Sequence, residues 1–271
     1  MSDSTRQNVL AFEHLIYGFG YFLLFITSII VANGILNMNC FRKLKKIEDA
    51  SNALLFLYGG ILVLTLIILF AIRKKNFFEE THFQKFSIKF LPAIMIITLG
   101  AYVFTDAIVN LLPRSLLKSY EESSSFISEG SFVGSMIAQV IIAPLTEELI
   151  FRGLMLSRFN KALPSWMGIT ISSLLFGIMH GNLVWFVYAA VLGALFCIVA
   201  ELTGSIFSTF LMHSLINACG TLSAYLLPVL APEELYGFLV AGILLTILGT
   251  FLFARTLKSM HSDSKATRKF N

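Results

Sequence analysis

Eight apolar runs fill most of this chain, each close to the roughly 20 residues a helix needs to cross a bilayer. They cover residues 15–36, 53–72, 90–112, 131–160, 163–182, 184–201, 206–228 and 235–255. The alternating ten-residue strands of an outer-membrane barrel are absent. The expected fold is all-α: a polytopic transmembrane helix bundle of about eight spans. Composition agrees, because 13% of the 271 residues are charged and 56% hydrophobic, against about 25% charged in an ordinary soluble domain. The 26 Phe and 9 Met suit lipid-facing and helix-packing surfaces and require no cofactor.

Only Arg6 precedes the first run as a positive charge, and no Ala-x-Ala-like cleavage site follows it. It reads as a retained span and not as a secretory signal. Cys40, Cys197 and Cys219 are widely separated and lack a Cys-x-x-Cys, so neither a disulfide framework nor a zinc knuckle is expected. The net charge of +4 comes from loops and tail. Arg42, Lys43, Lys45 and Lys46 lie between the first two runs, and Arg73, Lys74, Lys75, Lys85 and Lys89 between the next two. Arg255, Lys258, Lys265, Arg268 and Lys269 close the chain. Such charges suit topology and lipid headgroups, not nucleic acid. A cytoplasmic basic tail sets the second basic loop inside and the acidic Glu233–Glu234 loop outside. It leaves the first basic loop outside, against the positive-inside rule.

Residues 113–130 form the longest polar stretch and are expected to be an interfacial loop. The reading in segments is N-terminal helices and loop over 1–130, a functional helical core over 131–228, and a last span with a basic cytoplasmic tail over 229–271. Spans four to seven, which carry the unusual polar residues, are taken as the working unit.

Those polar residues are Glu147, Glu148, Arg152, His180 and His213. A charge near the bilayer centre costs roughly 2.5–3.5 kcal/mol, so they must pair or do chemistry. Glu148 and Arg152 stand four apart and share a helix face. Glu147 turns about 100° away and keeps a free carboxylate, available as a base. Pro144 removes a helix hydrogen bond just upstream and predicts a kink there. Glu147 precedes the turn at Pro164 by about as many residues as His180 follows it. An antiparallel hairpin then sets both at similar depth, roughly 25 Å from the turn. Gly177 and Gly181 flank His180 and allow a second backbone to approach. His213 and Asn217 share a face, return Asn217 to roughly the level of Glu147, and offer donors for a developing oxyanion. Taken singly, each of these groups also fits an ordinary interhelical hydrogen bond or ion pair.

Glu147-Glu148-x-x-x-Arg152, Phe176-x-x-x-His180 and His213-x-x-x-Asn217, in that order, resemble the CPBP family. These are CAAX-prenyl endopeptidases and bacteriocin-processing or bacteriocin-immunity intramembrane proteases, also called the ABI family. The resemblance covers about 131–217, none of the motifs departs at a defining position, and the N-terminal spans match by helix count alone. It implies an intramembrane endopeptidase acting on a membrane-associated peptide or protein substrate; the composition, separately, suits a multi-pass protein of a bacterial plasma membrane. By that likeness Glu147 is the general base on water and His180 orients it or accepts its proton. His213 and Asn217 bind the oxyanion, Glu148 and Arg152 hold the site's shape, and Phe176 packs beneath His180.

No Gly-x-Ser-x-Gly elbow is present and no Cys falls within the motifs, which favours direct attack by water. Glu147, His180 and His213 also form a His₂Glu set of the kind some zinc proteases use. Without a His-Glu-x-x-His motif, and with Glu148 already held by Arg152, a metal-free glutamate mechanism is preferred. Two other classes stay open: a non-catalytic scaffold serving bacteriocin self-immunity or sensor regulation, and a transporter with a Glu/His/Asn relay.

Overall fold

The structure is a computed structural model that describes residues 3–38, 50–125, 130–226 and 232–267. The first basic loop (Arg42, Lys43, Lys45, Lys46), Cys40 and the tail residues Arg268 and Lys269 lie outside them. The described residues contain helices and turns and no strand. In chain order the principal helices are α1 (Asp3–Asn37), α2 (Ala50–Ile72), α3 (Leu91–Asn110), α4 (Arg114–Ser124), α5 (Phe132–Ala162), α6 (Ser165–Ile178), α7 (Leu183–Thr203), α8 (Ile206–Leu226) and α9 (Pro232–Thr267).

Among the described residues, six of these helices are long and apolar enough to cross a membrane: α1, α2, α3, α5, α7 and α9. The chain is therefore an all-α, multi-pass membrane bundle, and each of the eight apolar runs becomes a helix. Two fall short of independent spans. The 14 residues of α6 rise about 21 Å, less than the roughly 30 Å hydrocarbon core. The apolar course of α8 is interrupted by His213, Asn217 and several hydroxyl residues.

The 113–130 stretch, expected as a loop, is helical over 114–124. Leu116, Leu117 and Tyr120 recur at helical spacing there, and Lys118 Nζ stands 3.8 Å from Glu122 Oε1 one turn on. A local hydrogen-bonded helix satisfies backbone groups at an interface better than an open loop does.

Packing gathers the helices into two compact units. Residues 1–85 and 118–227 form the first, which holds α1 and α2 together with α5–α8. Its core runs through Tyr21, Phe25, Tyr58, Leu62, Phe70, Phe151, Phe159 and Phe176. The rings of Phe25 and Phe151 lie 5.5 Å apart, and those of Phe151 and Phe176 5.2 Å apart. The aromatic contacts draw α1 and α2 against α5. Residues 86–117 and 228–271 form the second unit, built on an antiparallel pairing of α3 with α9.

α5 is not a regular helix. It widens into π-type turns over Ala138–Ile142 and Leu149–Leu156, on either side of an α-helical Ala143–Glu148. Pro144 follows the first wide turn and contributes no backbone donor to it. In each wide turn a side chain from another helix takes a carbonyl: Asn217 Nδ2 donates to Gln139 O at 2.8 Å, and Ser172 Oγ to Phe151 O at 2.9 Å. Such bulges inside α-helices frequently mark functional sites.

Candidate active site

The Glu–Glu–Arg cluster sits at the boundary between the central α-turn and the second wide turn of α5. Arg152 Nη1 donates to Glu148 Oε1 at 2.8 Å, and both side chains are fully buried. The pair expected from the spacing is therefore formed. Arg152 is held further by Gly193 O at 3.3 Å from Nη2. Its guanidinium stacks on the ring of Phe176, 4.2 Å from the centroid, and lies 5.1 Å from that of Phe196. Two aromatic faces and a carbonyl replace the water that a buried cation loses.

His213 supplies the second bond to the same carboxylate, with Nδ1 2.9 Å from Glu148 Oε1. Its ring is flanked by Phe176 at 5.7 Å and Phe196 at 5.4 Å. Holding Nδ1 against a carboxylate turns Nε2 outward. That nitrogen faces Glu147, 3.8 Å from Oε2. Glu147 retains 18% side-chain exposure where Glu148 has none. The adjacent carboxylates therefore occupy different environments, as their helical phase predicts. Glu147 nevertheless faces an imidazole and is not free of partners.

Two expected positions shift. His213, not Asn217, stands level with the Glu pair. Asn217 lies a turn farther along α8, and its amide nitrogen is bound to the opened carbonyl of Gln139. The first wide turn of α5 brings that carbonyl to Asn217, and nothing in the motif spacing encodes it.

His180 lies in the turn between α6 and α7 and not within a span, because α6 stops at Ile178. Its Nδ1 is 2.9 Å from Phe176 O. The ring packs on Phe176 at 5.0 Å, as expected, and on Trp185 at 5.1 Å. The α5–α6 hairpin is antiparallel, with Phe151 against Phe176. The flanking glycines have different reasons. A Cβ on Gly177 would lie 2.8 Å from Phe186 O of α7, so Gly177 permits the close approach. Gly181 has open space around it and φ +70°. It is there for a left-handed turn, not for packing.

Contributors without a readable signal surround this centre. Tyr58 on α2 is buried, within electrostatic reach of Glu147 and hydrogen-bonding reach of Thr146. Asn182 caps α7 through Val184 N and Trp185 N, and donates from Nδ2 to Ser119 Oγ at 3.0 Å. The ring of Tyr120 then packs on Trp185 at 6.1 Å. A lone Tyr in an apolar run or a Ser in a polar stretch carries no sequence mark, whereas Gln139, an amide inside a span, was open to notice.

Glu147, His180 and His213 are not drawn together as ligands. Among the described residues no group of three or more His, Cys, Asp or Glu stands in a metal-holding arrangement. Among the described residues, Cys197 and Cys219 form no disulfide.

Residues 129–219 match the family model described as type II CAAX prenyl endopeptidase Rce1-like. No curated protein and no solved structure matches the chain.

Proposed function

Because residues 129–219 match the type II CAAX prenyl endopeptidase Rce1-like model, we propose that the chain is a CPBP-family intramembrane protease that hydrolyses a peptide bond of a membrane-associated peptide or protein. The supporting observation is the 3.8 Å gap between Glu147 Oε2 and His213 Nε2, with His213 fixed from behind by Glu148. That separation is too long for a direct hydrogen bond. A water lying beside the gap reaches both groups.

In this reading Glu147 takes a proton as the water oxygen bonds to the scissile carbonyl carbon. The carbonyl oxygen becomes an oxyanion. His213, whose Nε2 faces the gap, and the remaining Asn217 amide proton stabilise it. The C–N bond then breaks, and the proton held at Glu147 passes to the leaving amine. His180, on the same Phe176 ring as His213, helps orient the water or receives its proton. Glu148 and Arg152 hold the geometry.

No step is routed through a metal. Chelation should leave cleavage intact; reversible loss with restoration by zinc would overturn the metal-free reading. We assign the chain to a cell membrane, with a bacterial plasma membrane the expected host.

The direct test compares peptides from membranes and medium of cells carrying the wild-type chain or Glu147→Gln at matched protein levels. Peptide termini that vanish in the variant establish proteolysis and identify the substrate. Identical peptides with the phenotype intact would leave a binding scaffold instead.

A further inference from the structure

The second unit holds a pocket of about 310 Å³ lined by Lys89, Leu252, Arg255, Thr256 and Ser259. Two cations, two hydroxyls and one apolar side chain form a lining suited to an anion.

The register of α3 on α9 explains why the cations meet. Cβ atoms on Gly100, Gly242 and Gly249 would touch Thr246, Phe104 and Ile97 respectively, a constant antiparallel offset. The rings of Phe90 and Phe253 close that end of the pair at 4.7 Å. By that offset Lys89 falls opposite position 257, two residues from Arg255, and both cations line one pocket. On both helices this is where the apolar run ends: Arg255 is the first charge of α9 after Glu234, and Lys89 immediately precedes the apolar course of α3. The two cations therefore mark a single depth, that of the headgroups.

The surface beneath them points to the source of the anion. Leu244, Leu248 and Phe251 precede Arg255 at helical spacing and share its face. They are 61%, 47% and 62% exposed. An apolar track leading from a basic, hydroxyl-lined pocket matches an acyl chain below a phosphate. Free phosphate has no use for such a track.

We infer that the pocket between Lys89 and Arg255 binds the phosphate of an anionic phospholipid, whose acyl chain lies along Leu244, Leu248 and Phe251. The guanidinium of Arg255 grips phosphate oxygens as a fork, Lys89 adds a point charge, and Thr256 and Ser259 donate hydrogen bonds. This site is separate from the residues proposed for catalysis and does not depend on their role.

Native mass spectrometry of the full chain in detergent tests it, with phosphatidylglycerol and phosphatidylcholine of identical acyl chains as probes. Wild type should retain phosphatidylglycerol preferentially. The Lys89→Gln/Arg255→Gln variant should weaken that binding about 25-fold, roughly fivefold per charge removed. The exchange Lys89→Arg/Arg255→Lys keeps both charges and should keep the preference. Equal retention of the two lipids by wild type, or unchanged retention by the Gln variant, would overturn the site. Displacement of phosphatidylglycerol by millimolar inorganic phosphate would overturn the lipid as its occupant. Should the Gln variant fail to accumulate, Thr256→Ala/Ser259→Ala leaves both charges and should still weaken retention several-fold; no change there would equally overturn the proposal.

Discussion

Glu147 and Glu148 are the same residue type, one peptide bond apart, yet they stand in opposite circumstances. Glu148 is sealed beneath Arg152 and His213 at 2.8 and 2.9 Å, while Glu147 meets His213 across 3.8 Å and keeps some exposure. Substitution should separate their roles. Arg152→Met leaves Glu148 as an incompletely compensated buried charge, which costs about 3–5 kcal/mol and should appear as a lower unfolding midpoint in detergent. Glu147→Gln removes no close bond and should leave that midpoint nearly unchanged. Under the proposed mechanism it lowers cleavage by about 10²–10⁴-fold, the worth of a positioned general base. Near-native cleavage by Glu147→Gln would remove it from the chemistry. The Glu148–Arg152 pair was legible because one helical turn is a local property. The bond from His213 to Glu148 was not, since it depends on how α8 docks on α5.

At the scale of elements, the irregular helix α5 matters most. Its two wide turns expose carbonyls that Asn217 and Ser172 capture from neighbouring helices. Asn217→Ala should therefore act on structure as well as on any oxyanion, costing about 0.6–2 kcal/mol for a lost interhelical bond in a membrane. Ser172→Ala loses a comparable bond to the second wide turn without removing a group proposed to touch the substrate, so it should lower the unfolding midpoint by a similar amount with less effect on kcat. Equal kcat losses in the two variants would assign Asn217 a purely structural part. The two glycines beside His180 make a second contrast. Gly177→Ala drives a Cβ to within 2.8 Å of the Phe186 carbonyl, which a packed backbone cannot yield cheaply. It should part α6 from α7 and reduce both stability and cleavage. Gly181→Ala meets open space and should cost only the ~1 kcal/mol of a left-handed turn. Sequence reading grouped these glycines together, because spacing carries no information on φ.

At the scale of the molecule, the chain resolves into two compact units, each made from segments distant in sequence. The α3–α9 pair rests on small residues, so Gly100→Leu should force its helices apart where Thr246 now lies. Hydrogen exchange should then rise across residues 91–110 and 236–253; unchanged protection would show that the close approach is dispensable. What the sequence by itself determined was class and chemistry: apolar runs of spanning length, an all-helical membrane fold, and the set of polar residues available for a site. Hydropathy and helical phase are properties of neighbouring residues and survive any arrangement of the helices. Tertiary structure alone decided the partners. It placed His213 between the two carboxylates, tied Asn217 to Gln139, set His180 in a turn, and brought Lys89 and Arg255 into one pocket. These pairings rest on register between helices far apart in the chain, and register is set by packing and by where a helix widens to give up its carbonyls.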